Sequence, residues 1–331
     1  MRDRFAGILG MGSYVPDRVV TNRDMERLVD TTDEWIKERT GIRERRIAAE
    51  GETTSAMATR AAERALADAG VDAAELDLII VATVTPDMLF PSTACLVQAN
   101  LKATRAAAFD LTAVCSGFVY GLVVGGEFIR SGMYRKVLVI GAETLSRITD
   151  MTDRNTVIVF ADGAGAAVLG ETDPGYGIVG VDLGADGTGA ELLNVPAGGS
   201  RQPATAATVA GRLHYIRMSG KEVFKFAVKI MGDSALKALA RAGVEPADIA
   251  LLVPHQANMR IIQAAAKRLG MPMEKVYVNV DRYGNTSAAS VPIALDEAVR
   301  AGRVKNGDAV VMVGFGGGLT WGSCVVRWLK K

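Results

Sequence analysis

Asp110–Phe118 reads D-L-T-A-V-C-S-G-F, with Cys115 near its middle. A short apolar run leads into the cysteine. Gly117–Gly132 continues G-F-V-Y-G-L-V-V-G-G-E-F-I-R-S-G, without a charge before Glu127. A surface helix carries a polar stripe, so this pattern predicts a helix buried on all sides. Gly121, Gly125 and Gly126 each cost roughly 1 kcal/mol relative to alanine in an ordinary helix interior. They make sense if other elements approach that helix closely. Cys115 then falls where a helix starts, at the positive end of its dipole. That position lowers a thiol pKa from about 8.5 and favours the nucleophilic thiolate. By itself the segment fits either a nucleophile or a small core residue.

The 331 residues suffice for one large domain or two fused halves. Hydrophobic residues at 49% and charged residues at 23% describe a soluble globular enzyme with a large core. A net charge of +1 gives no global basic excess for nucleic acid, and there is no acidic tail; local basic patches stay open. Cys95, Cys115 and Cys324 make no disulfide framework and fit a reducing, cytoplasmic setting. The start, M-R-D-R-F-A-G, lacks an apolar core of signal-peptide length. No apolar stretch reaches the roughly 20 residues of a membrane span.

Taken in order, Phe5–Gly12 reads as a strand, and Asn22–Val29 and Asp33–Thr40 as short helices capped by Asn22 and Asp33. Trp35 with Arg39, Arg43, Arg45 and Arg46 could stack on a base or grip phosphates. The plainer reading is a solvated helix with Trp35 as its core anchor. Thr53–Ala69 is a helix with Gly70 after its end. Leu76–Val84 and Val137–Gly141 are β-branched runs that suit strands covered on both faces. Thr93–Leu101 is a further helix. Thr156–Leu169 reads strand, Gly-rich turn, strand. Pro174–Gly220 is loop-rich with short strands, a connection between halves, and Lys221–Ala242 resumes an amphipathic helix.

The pattern then repeats. Ile79 and Val139 stand 60 residues apart, as do Leu251 and Val311; Cys115 follows Ile79 by 36 residues, as Ser287 follows Leu251. Two related α/β halves follow, residues 1–173 and 174–331. A pseudo-twofold would bring Cys115 and the Asn285–Ser287 loop to one place. The helix around Ser290–Arg300 carries Pro292, acceptable in a first turn.

Only two histidines are present. His214 lies in an alternating segment and reads as structural or exposed. His255 follows an apolar strand, in L-V-P-H-Q-A-N-M-R, and functional groups collect beyond the carboxyl ends of parallel strands. Asn285 takes the corresponding place after Val276–Val280. Gly314–Gly318, G-F-G-G-G, lets backbone approach another group closely. It is no dinucleotide loop: Leu319 occupies the third glycine position. There is no Walker sequence and no zinc spacing.

Six segments together resemble β-ketoacyl-acyl carrier protein synthase III, a condensing enzyme of the thiolase superfamily. They are T-D-E-W-I-K-E-R-T-G-I-R-E-R, A-V-C-S-G-F, F-A-D-G-A-G-A-A-V-L, V-P-H-Q-A-N-M-R-I-I, R-Y-G-N-T-S-A-A-S-V-P and G-F-G-G-G-L-T-W-G-S. They span nearly the whole chain in the family's order. The resemblance implies a thiolase-like five-layer α-β-α-β-α sandwich that dimerises. It implies that Cys115 takes an acyl group from an acyl-CoA and that malonyl-acyl carrier protein then condenses with it, losing carbon dioxide. His255 and Asn285 would stabilise the enolate, and the N–H groups of Cys115 and Gly317 would form the oxyanion hole. Trp35 and Arg154 would sandwich the adenine of coenzyme A, with Arg39 nearby, and Ala257 and Asn258 would contact the pantetheine. Lys221 stands where family members can carry asparagine. Carrier protein would dock on Lys225, Arg260, Lys267 and Arg268, with Ile261, Ile262 and Leu269 buried behind them. Phe90 would enter the neighbouring subunit's acyl pocket and favour short primers. Cys95 and Cys324 are assigned to packing. No metal or cofactor is expected beyond the coenzyme A thioester.

Three other readings compete. A relative in secondary metabolism would condense another starter or transfer an acyl group without decarboxylation. A degradative thiolase needs a second cysteine late in the chain, and Cys324 lies in the wrong context. A non-catalytic acyl-CoA binder would not need Cys115, His255 and Asn285 together.

Overall fold

Alternate residues of a strand face opposite ways. In the run after Leu76, Leu78 and Ile80 enter one apolar core while Ile79 and Val81 enter another. In Ala309–Val313, Val310 and Met312 share the core of Leu78, and Val311 and Val313 belong to a third. Each of two sheets is thus covered on both faces, which builds five layers, α-β-α-β-α. The computed structural model describes residues 4–330; residues 1–3 of the N-terminal stretch read above, and residue 331, lie outside the described residues.

The first sheet holds β1 (Phe5–Tyr14), β2 (Leu78–Ala82), β3 (Ala107–Leu111), β4 (Lys136–Thr144) and β5 (Asp162–Thr172), in the order β1-β5-β4-β2-β3. β2 runs parallel to β3 and β4, whereas β5 is antiparallel to β4 and β1. The second sheet holds β6 (Gly177–Ala185), β7 (Ile249–Pro254), β8 (Ala309–Gly316) and β9 (Thr320–Arg327), in the order β7-β8-β9-β6. Only its β7–β8 pair is parallel.

The helices are α1 (Asp33–Thr40), α2 (Thr54–Ala69), α3 (Thr93–Leu101), α4 (Gly117–Arg130), α5 (Gly220–Ala242), α6 (Met259–Arg268) and α7 (Ser290–Arg300). α2 covers the outer face of the first sheet; α5 and α6 cover that of the second; α4 and α7 lie between. The glycines of α4 admit the sheets as expected: a Cβ on Gly121 would stand 2.7 Å from Val139 Cγ1, and one on Gly126 2.8 Å from Ile178 Cδ1.

Four local expectations change. Thr156–Leu169 does not turn at its glycines; β5 runs through Gly163 and Gly165, where a Cβ on Gly165 would meet Pro292 Cβ at 2.7 Å. These glycines admit α7 rather than bend the chain. Val276–Val280 makes only an isolated bridge, Leu252 to Val276, before a short helical turn. The segment 174–220 contributes β6, the edge of the second sheet, besides its loops. The helix expected over Asn22–Val29 closes at Met25.

The duplication is visible in the backbone, one residue away from the spacing read in the sequence. Leu78 pairs with Val137 as Leu251 pairs with Val310, and α4 starts at Gly117 as α7 starts at Ser290. Each equivalent pair is 173 residues apart (251 − 78, 290 − 117), not 172. Val114 and Ser287, both with positive φ (49° and 48°), are therefore counterparts, and Cys115 matches Ala288.

Candidate active site

The end of β3 delivers the chain into a 3-10 turn, Val114–Ser116, that leads directly into α4. Left-handed backbone is uncommon for a β-branched residue, so Val114 marks a strained corner just before Cys115. Ser116 and Thr320 hold the corner: each donates its hydroxyl to the Ala113 carbonyl, at 2.7 and 2.9 Å. The end of β8 closes over it. A Cβ on Gly316 would lie 2.6 Å from the Cys115 amide nitrogen, so only glycine lets the strands approach this far. Gly317 follows and packs against the Leu193 carbonyl instead.

The site differs from expectation in its acidity. Cys115 does stand at the start of α4, but burial pushes its thiol up to about 12. Ser287, by hydrogen bonding, pulls it down, and the Glu143 carboxylate pushes it up. Desolvation of the thiolate is the largest influence, and the resting sulfur keeps its proton.

His255 follows β7 and is held by its N–H to the Val313 carbonyl at 2.7 Å. Phe315 meets the ring edge-on, with centroids 5.6 Å apart. Burial drives the imidazole down to about 3, so it is neutral at neutral pH. Asn285 is fixed from both sides: its N–H donates to Val159, and its carbonyl accepts from Ala161, both at 2.9 Å. Its side-chain oxygen accepts the Ser287 N–H at 2.8 Å, which leaves the amide NH2 as the end available to another group.

Cys115, His255 and Asn285 border one cleft of about 580 Å³, together with Ala257, Asn258 and Phe224. A second, strongly apolar cleft of about 680 Å³ also reaches Cys115, past Val84, Leu145, Ile148, Phe160 and Ile216. The thiol thus lies where the two clefts meet, the first of them carrying the polar ends of His255, Asn258 and Asn285.

Glu143 also belongs to the site, although the sequence by itself does not mark it. It is fully buried on β4 and receives Thr85 Oγ1 at 2.6 Å, Ser287 Oγ at 3.0 Å, Thr83 Oγ1 at 3.3 Å and the Val84 N–H at 3.2 Å. Burial nevertheless raises its carboxyl to about 7. The available signal was an acid closing the apolar run V-L-V-I-G-A-E, which reads as a strand end when the partners are unknown.

At the outer rim, Ile36 rather than Trp35 anchors α1 in the core. Trp35 is half-buried and stacks with two arginines, Arg154 at 4.1 Å and Arg39 at 5.3 Å from the ring centroid. Arg154 and Trp35 are in direct contact, so a base entering between them must part them. Asn258 caps α6 by accepting the Arg260 N–H and donates to the Arg39 carbonyl at 2.9 Å, which ties the two elements together.

Lys225, Arg260, Lys267 and Arg268 are all exposed, and Ile261, Ile262 and Leu269 are buried behind them. Two of the four are partly engaged: Lys225 pairs with Glu222 at 3.1 Å and Arg268 with Asp233 at 2.9 Å. Arg260 lies over Phe224. Lys221 is exposed at the start of α5. Phe90 is 84% exposed and lines neither cleft of its own chain. Cys324 is buried as expected, whereas Cys95 is exposed and accepts a hydrogen bond from Ser92 at 3.2 Å. His214 is half-buried and bonds to Thr208.

Two family profiles match the chain: 3-oxoacyl-[acyl-carrier-protein] synthase III over residues 109–187, and the C-terminal part of the same family over residues 239–328. A curated β-ketoacyl-[acyl-carrier-protein] synthase III of Caldanaerobacter subterraneus subsp. tengcongensis is 61% identical over 325 residues, covering 98% of each chain. The crystal structure of 3-oxoacyl-[acyl-carrier-protein] synthase III from Aquifex aeolicus VF5 is 50% identical and superposes with a TM-score of 0.90, covering 98% of this chain and 100% of that one. The priming β-ketosynthase of the R1128 polyketide pathway is 40% identical with a TM-score of 0.92, over 99% of this chain and 97% of that one.

Proposed function

This chain belongs to the β-ketoacyl-[acyl-carrier-protein] synthase III family, acyltransferases that are condensing enzymes of fatty-acid synthesis, and from that premise we propose its substrates and mechanism. A short acyl-CoA, acetyl-CoA first among them, loads Cys115. The buried thiol attacks the thioester carbonyl and gives up its proton, and coenzyme A leaves as the free thiol. The amide N–H groups of Cys115 and Gly317 receive the oxyanion; one such donor is worth about 3–4 kcal/mol. Trp35 and Arg154 part to take the adenine, with Arg39 beside them, while Ala257 and Asn258 guide the pantetheine.

Malonyl-acyl carrier protein then docks on the basic face of Lys225, Arg260, Lys267 and Arg268, where complementary charge speeds association. Its thioester oxygen accepts hydrogen bonds from neutral His255 and from the Asn285 amide. Carbon dioxide leaves, and the carbanion attacks the acyl group on Cys115. A proton returns to the cysteine sulfur as the β-ketoacyl-carrier protein forms. Nothing in this sequence of steps calls for a metal or a further cofactor.

The observation that carries this reading is the single cleft shared by a buried thiol and two neutral donors, His255 and Asn285. The exposed run Met88, Leu89 and Phe90 supports a homodimer in which Phe90 shortens the partner's acyl chamber. No described helix is long and apolar enough to cross a membrane; we place the protein in the cytoplasm on its three free thiols. The test is intact-mass spectrometry after mixing with acetyl-CoA. Wild-type protein should gain one acetyl group, mapped by peptide analysis to Cys115, and Cys115→Ser should gain none while keeping its circular dichroism spectrum. Equal loading of the two proteins would remove Cys115 as the nucleophile.

A further inference from the structure

His255 is neutral and buried, so one ring nitrogen carries the proton and the other does not. Which one decides what the ring can do in the cleft. Nδ1 lies 2.6 Å from Ser290 Oγ, and Nε2 has no partner among the described residues. Ser290 begins α7 and is itself buried. Its oxygen also receives the Gln256 N–H at 3.3 Å, and among the described residues its hydroxyl has no other hydrogen-bond partner.

Proton counting separates the two arrangements. If Nδ1 carried the proton, Ser290 Oγ would accept from both Nδ1–H and the Gln256 N–H. Its own hydroxyl hydrogen would then be buried without an acceptor. If Nδ1 is bare, the hydroxyl donates to it and accepts from Gln256, so every group is satisfied. We propose that Ser290 is a positioning residue for catalysis: its hydroxyl donates to His255 Nδ1 and so fixes the tautomer that presents Nε2–H to the cleft. Only that tautomer can donate to a developing enolate oxygen. The opposite one would offer a lone pair to negative charge. The edge of Phe315 steadies the ring plane, and Ser290 sets the proton. The catalytic consequence rests on the decarboxylating role given to His255 above; the tautomer itself does not.

The chain's two histidines make the test direct. Full-length protein labelled with nitrogen-15 histidine is read by long-range proton–nitrogen correlation, with His214→Gln used for assignment. The expected spectrum shows His255 Nδ1 as a bare, hydrogen-bonded nitrogen and Nε2 as protonated. In Ser290→Ala, Nδ1 should move toward the position of an unbonded acceptor. Carbon dioxide release from malonyl-carrier protein should fall at least about tenfold while acetyl loading of Cys115 stays within about twofold, because only the enolate step uses this donor. Ser290→Thr, which keeps the hydroxyl, should restore release. A native spectrum with the proton on Nδ1 overturns the proposal. So does a folded Ser290→Ala with unchanged Nδ1 resonance and unchanged release. Native protein with the expected tautomer but no carbon dioxide release would refute the functional reading and leave the tautomer assignment standing.

Discussion

Glu143→Gln should stabilise the protein increasingly as the pH rises. Burial raises the native carboxyl from its ordinary 4.5 to about 7. An acid whose native pKa is raised has the opposite sign to an ordinary ion-paired carboxylate. Below the unfolded value both states are protonated and the group contributes nothing. As pH climbs from 4.5 through 7 the unfolded chain ionises first, and the native state loses ground. Integrating between these two values gives a penalty of about 3 kcal/mol at pH 8 and about 1 kcal/mol at pH 5. Glutamine keeps the shape and carries no charge, so this penalty vanishes in the variant. The rotatable hydroxyls of Thr83, Thr85 and Ser287 can turn to accept from its amide. Urea unfolding of both proteins from pH 5 to 8 isolates the effect, because the other titrating groups are common to both. The stability difference, variant minus wild type, should grow by about 2 kcal/mol across that range. A flat difference, or one that turns against the variant with rising pH, would refute the reasoning. It would mean that the four donors around Glu143 fully offset its desolvation.

Gly141→Ala places a Cβ 2.2 Å from the Ala288 carbonyl oxygen, a backbone atom that no rotamer change can move. It should destabilise by about 3 kcal/mol or more in urea unfolding, at the upper end of overpacking costs, and should slow condensation by displacing the Ser287–Ser290 corner. Asp150 is held well below the usual carboxylate range by Arg212, with Thr152 adding two hydrogen bonds. Asp150→Asn should lower the melting temperature by a few degrees at pH 7, and the deficit should shrink as pH falls from the ordinary aspartate value toward the depressed native one, because the unfolded wild-type chain takes up the proton first and the native pair is lost only at the lower end. Trp35→Ala should raise the acyl-CoA KM about tenfold with little change in kcat, the scale of one lost base–aromatic stack.

Much of the architecture can be read from side-chain alternation. The β-branched run after Leu76 and its counterpart Ile249–Val253 announce strands covered on both faces, and the polar-stripe-free α4 announces a central layer. What the sequence obscures are positions where one residue type serves two physical purposes. Gly163 and Gly165 look like a turn because glycine permits one, yet they lie mid-strand to admit Pro292 and Ile293 from α7. Val276–Val280 is rich in valine but meets the sheet only at its start, where Val276 bridges Leu252 and the Tyr277 N–H donates to the Leu252 carbonyl at 2.9 Å. In the site, Cys115, His255 and Asn285 are legible because each lies just beyond an apolar run of the sequence. The thiol's acidity is not legible, since it depends on how completely β8 and α7 exclude water. Glu143 is silent for the same reason: its meaning lies in Thr83, Thr85 and Ser287, the last of them 144 residues away.

Carbon dioxide release from labelled malonyl-carrier protein by the purified enzyme decides whether His255 and Asn285 serve a decarboxylating condensation. It should be measured together with acyl loading of Cys115, across a panel of acyl-CoA primers. Acetyl-CoA or another short primer should load rapidly, one carbon dioxide should be released per β-ketoacyl-carrier protein formed, and release should be lost when His255 or Asn285 becomes alanine. Acyl loading without carbon dioxide release would contradict that role, and would point to an acyltransferase in which His255 and Asn285 serve another step.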